Sequence, residues 1–355
     1  MTKRTGMVQT VNGLITPDQL GLTLMHEHLL CDLSVRFKEP EESTKRAFAH
    51  QPFTAADRWR VLADLTSNRD NLVLDNVEAS AAEAMHFKQS GGRTIVDQTT
   101  RGLGRDPTAI RAIANLTGLN VVMGTGYYVH LTHPADLFLR HEQDIADEMT
   151  REIVEGIGNT GVRCGIIGEI GVEVLSDNEL KVLRAAAIAQ RQTGALVTVH
   201  TMYLYSGAEG GIRIANELQK AGADLSRVVF CHQDGSGVDV HYQEELLKRG
   251  IILEYDLFGF EVAFEASGQA AQWPSDAQRI NELSNLLDRG WIKQVLISHD
   301  VCVKFMTRAY GGWGYAHLLD VVRSHMNSAG ITDELITTMM VESPSRLLPL
   351  VNGSR

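Results

Sequence analysis

The stretch LTLMHEHLL, Leu22–Leu30, is an apolar run interrupted mainly by His26, Glu27 and His28. In a β-strand alternate side chains share a face, so His26 and His28 project together from the end of a segment otherwise fit for burial. Two imidazoles placed this way begin a divalent-cation site. An isolated His-x-His also has an ordinary reading, as surface histidines on an edge strand. The weight therefore falls on the rest of the chain.

Seven more short apolar runs follow: RTIVDQTT (93–100), NVVMGTGYY (120–128), CGIIGEIG (164–171), LVTVHT (196–201), VVFCHQDG (228–235), IILEYDLF (251–258) and QVLISHD (294–300). Helical sequence precedes each of them, over about 76–89, 106–117, 144–157, 177–192, 209–220, 240–249 and 276–288, and two further helices over 315–328 and 332–347 close the chain. Glycines such as Gly118, Gly194, Gly222 and Gly250 fall where these helices should stop. Strands that read as continuous apolar runs are those buried on both faces by helices. Eight such units predict an α/β fold, a (β/α)8 TIM barrel in one domain over residues 1–355. A doubly wound open sheet is the runner-up, but it would want a glycine fingerprint after its first strand, and none is present. Residues 5–21 alternate weakly around Asn12-Gly13 and predict a short N-terminal β-hairpin beneath the barrel. Residues 32–74 form a long polar connection with a helical piece near 55–65. Connections of this length are often functional.

Of the 355 residues 44% are hydrophobic, enough for a large core, and the net charge of −11 argues against nucleic acid or an anionic membrane as partner. A small molecule is the expected one. The four cysteines have no paired spacing and read as reduced thiols, the N-terminal residues lack an apolar signal core, and no apolar run approaches 18 residues. A cytoplasmic protein is the expectation.

The C-terminal ends of the predicted strands carry His26 and His28, then Glu169, His200, His232 and Asp300. Active sites of (β/α)8 barrels are assembled at that face. Singly, each residue has a structural reading, as a helix cap or a core histidine. In register, four histidines and two carboxylates suit two zinc-like ions with a carboxylate between them.

This ordered set, together with the opening MVQTVNGLITPDQLGLTLMHEHL and the segments GIIGEIG, EYDLFG, ISHD and YGGWGYAHLL, resembles the phosphotriesterase branch of the amidohydrolase superfamily over essentially the whole chain. Within that branch it is most similar to the phosphotriesterase-related group, whose animal members hydrolyse N-acetyltaurine and similar N-acyl compounds. The resemblance implies that His26, His28 and Asp300 bind a buried metal, His200 and His232 a more exposed one, and Glu169 bridges the two with a hydroxide. Glu169 would stand where many relatives carry a carboxylated lysine. Two divalent ions, zinc first, are the implied cofactors, and a homodimer is implied by related barrels. Phosphotriesterases carry a histidine after the seventh-strand aspartate, whereas Asp256 here is followed by Leu257. A carbonyl substrate (N-acyl amide, lactone or carboxylic ester) is therefore expected, with Asp300 shuttling the proton. A phosphoester hydrolase and a metal-stabilised binding protein without turnover are the alternatives. For substrate contacts the loops offer Arg101, Tyr127, Tyr128, Tyr203, Tyr205, Tyr255, Asp256, Phe258 and the stretch 304–315, with Arg101, Lys304 or Arg308 as the cation for an anionic substrate.

Overall fold

The eight apolar runs form one sheet of eight parallel strands. They are Thr23–Glu27, Thr94–Asp97, Asn120–Thr125, Ile166–Val172, Leu196–Thr201, Val228–Phe230, Ile252–Tyr255 and Val295–Ile297, paired in sequence order. The first and eighth meet at a seam, where Asp300 N–H donates to the His26 carbonyl at 3.1 Å and His28 N–H to that of Val301 at 3.3 Å. The sheet thus closes as a (β/α)8 barrel. The structure, a computed structural model, describes residues 4–353 apart from Met202 and 267–268; the side chains of Tyr205 and of 264–271 are also outside the described residues.

Strand alternation divides the core in two. Met25, Val96, Val122, Ile166, Leu196, Val229, Ile252 and Leu296, one from each strand, form an inner cluster stoppered by Val8, Leu20, Leu347 and Leu348. Outward-facing residues such as Leu24, Ile95, Val121, Ile167, Val197 and Leu253 pack in the same cluster as the helix residues Phe87, Ile113, Met149, Leu183, Leu218 and Leu246. Burying each such aliphatic side chain contributes about 1.5–3 kcal/mol. The inner plug gives the polar layer above it a dry floor.

The helices begin and end where local chemistry dictates. The Asp106 side chain accepts the N–H groups of Thr108 and Ala109 ahead of Pro107–Thr117, and Gly118 ends that helix at φ 64°. Ser176 and Glu179 form a capping box on Asp177–Thr193, which stops at Gly194 with φ 69°.

Four local expectations are revised. The N-terminal hairpin pairs Val8–Thr10 with Gly13–Ile15, so its two-residue loop is Val11-Asn12 and not Asn12-Gly13. Gly13 takes φ 119° as the first residue of the return strand. The 32–74 excursion holds a further helix, Ser43–His50, besides Arg58–Ala63, and is tied off by Cys31–Asp32 pairing with Val73–Leu74. The loop after the seventh strand contains an unforeseen hairpin of Ala263–Ala266 with Gln269–Gln272. The last helix widens into a π-turn at Thr338–Glu342 just before Pro344, which has no N–H to give Met340. Among the described residues no helix is long and apolar enough to cross a membrane.

Candidate metal centre

Six predicted donors converge above the inner plug. Glu169 lies at their centre: its Oε1 is 3.4 Å from His28 Nε2, and its Oε2 is 3.7 Å from His26 Nε2, 3.1 Å from His200 Nδ1 and 3.7 Å from His232 Nε2. Asp300 Oδ1 stands 3.2 Å from His28 Nε2 and 3.6 Å from His26 Nε2. Two donors bound to one zinc at tetrahedral angles lie about 3.3 Å apart, so these spacings are those of a coordination shell. His26 Nε2 and Asp300 Oδ1 are buried without a hydrogen-bond partner. A buried orphan of this kind costs free energy unless something outside the chain satisfies it. Among the described residues four overlapping groups could hold an ion, and two of them share Glu169: His26–His28–Glu169, with Asp300 beside it, and Glu169–His200–His232.

Neighbouring hydrogen bonds set the tautomers. Thr99 Oγ1 gives its proton to the Leu30 carbonyl at 2.9 Å, so it accepts from His28 Nδ1 at 2.9 Å and leaves the Nε2 lone pair for the cluster. Asp256 Oδ1 accepts from His232 Nδ1 at 2.9 Å, while its Oδ2 faces His26 Nδ1 at 3.1 Å. One carboxylate therefore orients a ring from each group. Glu27, on the opposite face from the two histidines that flank it, accepts from Ser298 Oγ, the His299 N–H and His299 Nδ1 at 2.7–3.0 Å through Oε1 and from the Val301 N–H at 2.9 Å through Oε2. It thereby pins the backbone that presents Asp300. Asp300 and His232 both sit at positive φ, 51° and 59°, a conformation that non-glycine residues hold only when their surroundings enforce it.

The backbone beneath Glu169 leaves no slack. Gly168 has φ 143°, and a Cβ there would stand 1.9 Å from Thr198 Oγ1, while one on Gly124 would stand 1.9 Å from the Gly168 carbonyl oxygen. The glycines of GIIGEIG and NVVMGTG admit this packing because they have no Cβ.

Charge is concentrated here. Burial alone would raise Glu169, but the His200, His232, His28 and His26 imidazoles hold it well below the usual carboxylate range. Burial likewise opposes ionisation of Asp256, which His232 and His26 pull down instead. His232 resists protonation through burial, yet Asp256 and Glu169 lift it to about 10. Glu254, beneath His26, is pushed by burial to about 7. Without a cation, protons on the rings balance the carboxylates, so a bound metal replaces protons.

Asp256→Asn removes the carboxylate charge that the His232 ring bonds and the His26 ring faces. It is expected to weaken metal binding about 10–100-fold, measured by competition against a chromophoric chelator; unchanged affinity would remove Asp256 from the site's support.

Of the residues offered as substrate contacts, Tyr128 reaches the cluster. It is buried, with its hydroxyl 3.4 Å from both His200 nitrogens. Asp256 supports the cluster from beneath, and the others with described side chains point elsewhere. Tyr255 alternates with Glu254 and Asp256, so it faces outward and bonds Gln243. Tyr203 donates to Asp239 and Tyr127 to Glu148. Arg101 is 61% exposed and pairs with Glu148, Lys304 pairs with Asp70 and Arg308 with Asp320. Phe258 is buried in the outer core, and the Tyr205 side chain lies outside the described residues. Sequence reasoning missed Asp256 and Glu254 as partners of His26, although their two-residue spacing on one strand face was readable. It also missed Arg36 and Glu173, a pair made across two loops.

The comparisons agree with this geometry. The phosphotriesterase family model matches residues 6–348. An N-acetyltaurine hydrolase of Dictyostelium discoideum is 34% identical over 99% of this chain and 100% of its own, and a phosphotriesterase-related protein of Nematostella vectensis 37% identical over 96% and 97%. A resiniferatoxin-binding protein from Rhodobacter sphaeroides superposes with a TM-score of 0.92 at 38% identity, over 97% of this chain and 95% of that one. With the match running from the N-terminal hairpin to the last helix and the donor set whole, the chain belongs to the phosphotriesterase family of hydrolases.

Proposed function

We propose that this chain is a binuclear hydrolase of N-acyl amides that uses two zinc ions held by His26, His28, Glu169, His200, His232 and Asp300. The observation that carries the reading is the carboxylate of Glu169 set between two groups of imidazoles at coordination-shell spacings. The activity named for the Dictyostelium relative supports the amide class. Such ions, when bound, activate water and polarise a carbonyl oxygen. Imidazole with carboxylate is a zinc-type donor set.

The chain's own groups do the rest. Glu169 holds the two donor groups at a fixed separation. Asp300, with Oδ1 given to the cation, uses its other carboxylate oxygen to take a proton from the attacking water and deliver it to the leaving nitrogen. Tyr128 walls the His200 side with a phenol that burial keeps protonated. The seventh strand ends Asp256-Leu257, and Leu257 is buried and apolar, so no second relay base follows Asp256.

Chelator-stripped protein is expected to lose turnover of N-acyl amines and to regain it with zinc. Zinc loading should weaken as pH falls, because protons compete for the same rings. Full activity after stripping, or a panel in which organophosphate triesters are cleaved and amides are not, would overturn the proposal.

A further inference from the structure

An N-acyl amine can end in a charged or an uncharged group, and the site needs a cation to tell them apart. Arg101, Lys304 and Arg308 are committed to surface carboxylates away from the cluster. Arg279, fully buried, is taken by Asp234, Asp276 and the Phe260 carbonyl. Arg36 is placed differently. It ends the short turn Ser34–Arg36 in the loop after the first strand. Its Cζ lies 5.8 Å from the ring centre of Tyr128, the residue whose hydroxyl touches His200.

We propose that Arg36 is the anion-recognition residue of this site, reading a sulfonate or carboxylate at the far end of the amine half of an N-acyl substrate. The inference rests on the amide reading above. Glu173 directly follows the fourth strand, four residues beyond Glu169. Both its oxygens accept from Arg36 Nη1, at 2.9 and 3.0 Å. The Tyr128 hydroxyl also interacts with the guanidinium, so two groups hold it in place. Glu173 leaves the Nε–Nη2 edge untouched, and that edge matches a compact oxyanion in a two-pronged contact. The side chain is 26% exposed, so Arg36 is packed yet still reaches solvent. Glu173 fixes the fork in advance, which lowers the ordering cost of binding. It also holds the cation beside Tyr128, whose hydroxyl lies 3.4 Å from the His200 nitrogens.

The test reads binding, not turnover. Two inert ligands are compared by calorimetry on metal-loaded protein. One is a methyl ketone sulfonate in which CH2 replaces the amide N–H, and the other is the methoxy ketone of equal length. Wild type is expected to prefer the sulfonate by about 30-fold, the worth of a charged hydrogen-bond pair, and Arg36→Met to bring the ratio close to one. Arg36→Lys, which keeps the charge but not the fork, should fall between them and serves if the methionine variant does not fold. Absence of any preference in wild type overturns the proposal without a variant. A variant that weakens both ligands equally overturns it as well, since that marks Arg36 as a prop for Tyr128. If the preference is found and no amide is cleaved, the amide reading fails and the assignment of Arg36 stands.

Discussion

Glu169→Gln is expected to bind one metal ion or none and to lose roughly 10³-fold in amide hydrolysis, the scale of several kcal/mol of transition-state stabilisation. The glutamate is buried, and its two oxygens face four imidazoles, Oε1 toward His28 and Oε2 toward His26, His200 and His232. An amide in its place removes the negative charge shared by both groups and turns an N–H2 toward ring lone pairs that should point at a cation. The backbone cannot shift to compensate, because Gly168 is wedged against Thr198 and Gly124 against Gly168. Elemental analysis of purified protein with kcat on an N-acyl amine checks both halves. Two ions and full turnover in the variant would mean that Glu169 is not the bridge.

The second large effect is expected at Asp300. Asp300→Asn should lower kcat by about 10²–10⁴-fold, the range for removing a positioned general acid–base group. Binding through the side-chain oxygen can persist in asparagine, so metal content should fall less than rate. The residue is held by more than its own contacts: its N–H donates to the His26 carbonyl, and Glu27 clamps His299 and Val301 on either side of it. Geometry should therefore survive the substitution, and the loss should read out as chemistry. A variant holding two ions at undiminished kcat would remove Asp300 from the proton path.

Much of this was legible from sequence for a simple reason. A strand buried on both faces must be apolar until it reaches the barrel mouth, so the first polar residues after each run mark the site. That rule finds His26, His28, Glu169, His200, His232 and Asp300 without coordinates. It works less well where parity matters: Tyr255 looked like a mouth residue because it neighbours Asp256, yet one step along a strand reverses the face. It is silent for loops. Arg36 and Glu173 are 137 residues apart, each in a polar segment with no period, and only the closed barrel makes them neighbours. The hairpin of Ala263–Ala266 with Gln269–Gln272 was missed because its short, mixed sequence carries neither a strand alternation nor a helix stop.

The seam between the first and eighth strands has a consequence for how the molecule comes into being. The hydrogen bonds that close it, such as His26 N–H to Ser298 Oγ and those of Glu27 to Ser298 and His299, join residues 271 or 272 positions apart. Contacts of such high order are the slowest to form. The first histidine pair emerges early in synthesis and must wait for the last strand before Asp300 can join it. During that interval His26, His28, Glu169, His200 and His232 are a set of imidazole and carboxylate ligands without their final partner. Completion of the donor set is thus a late event of folding.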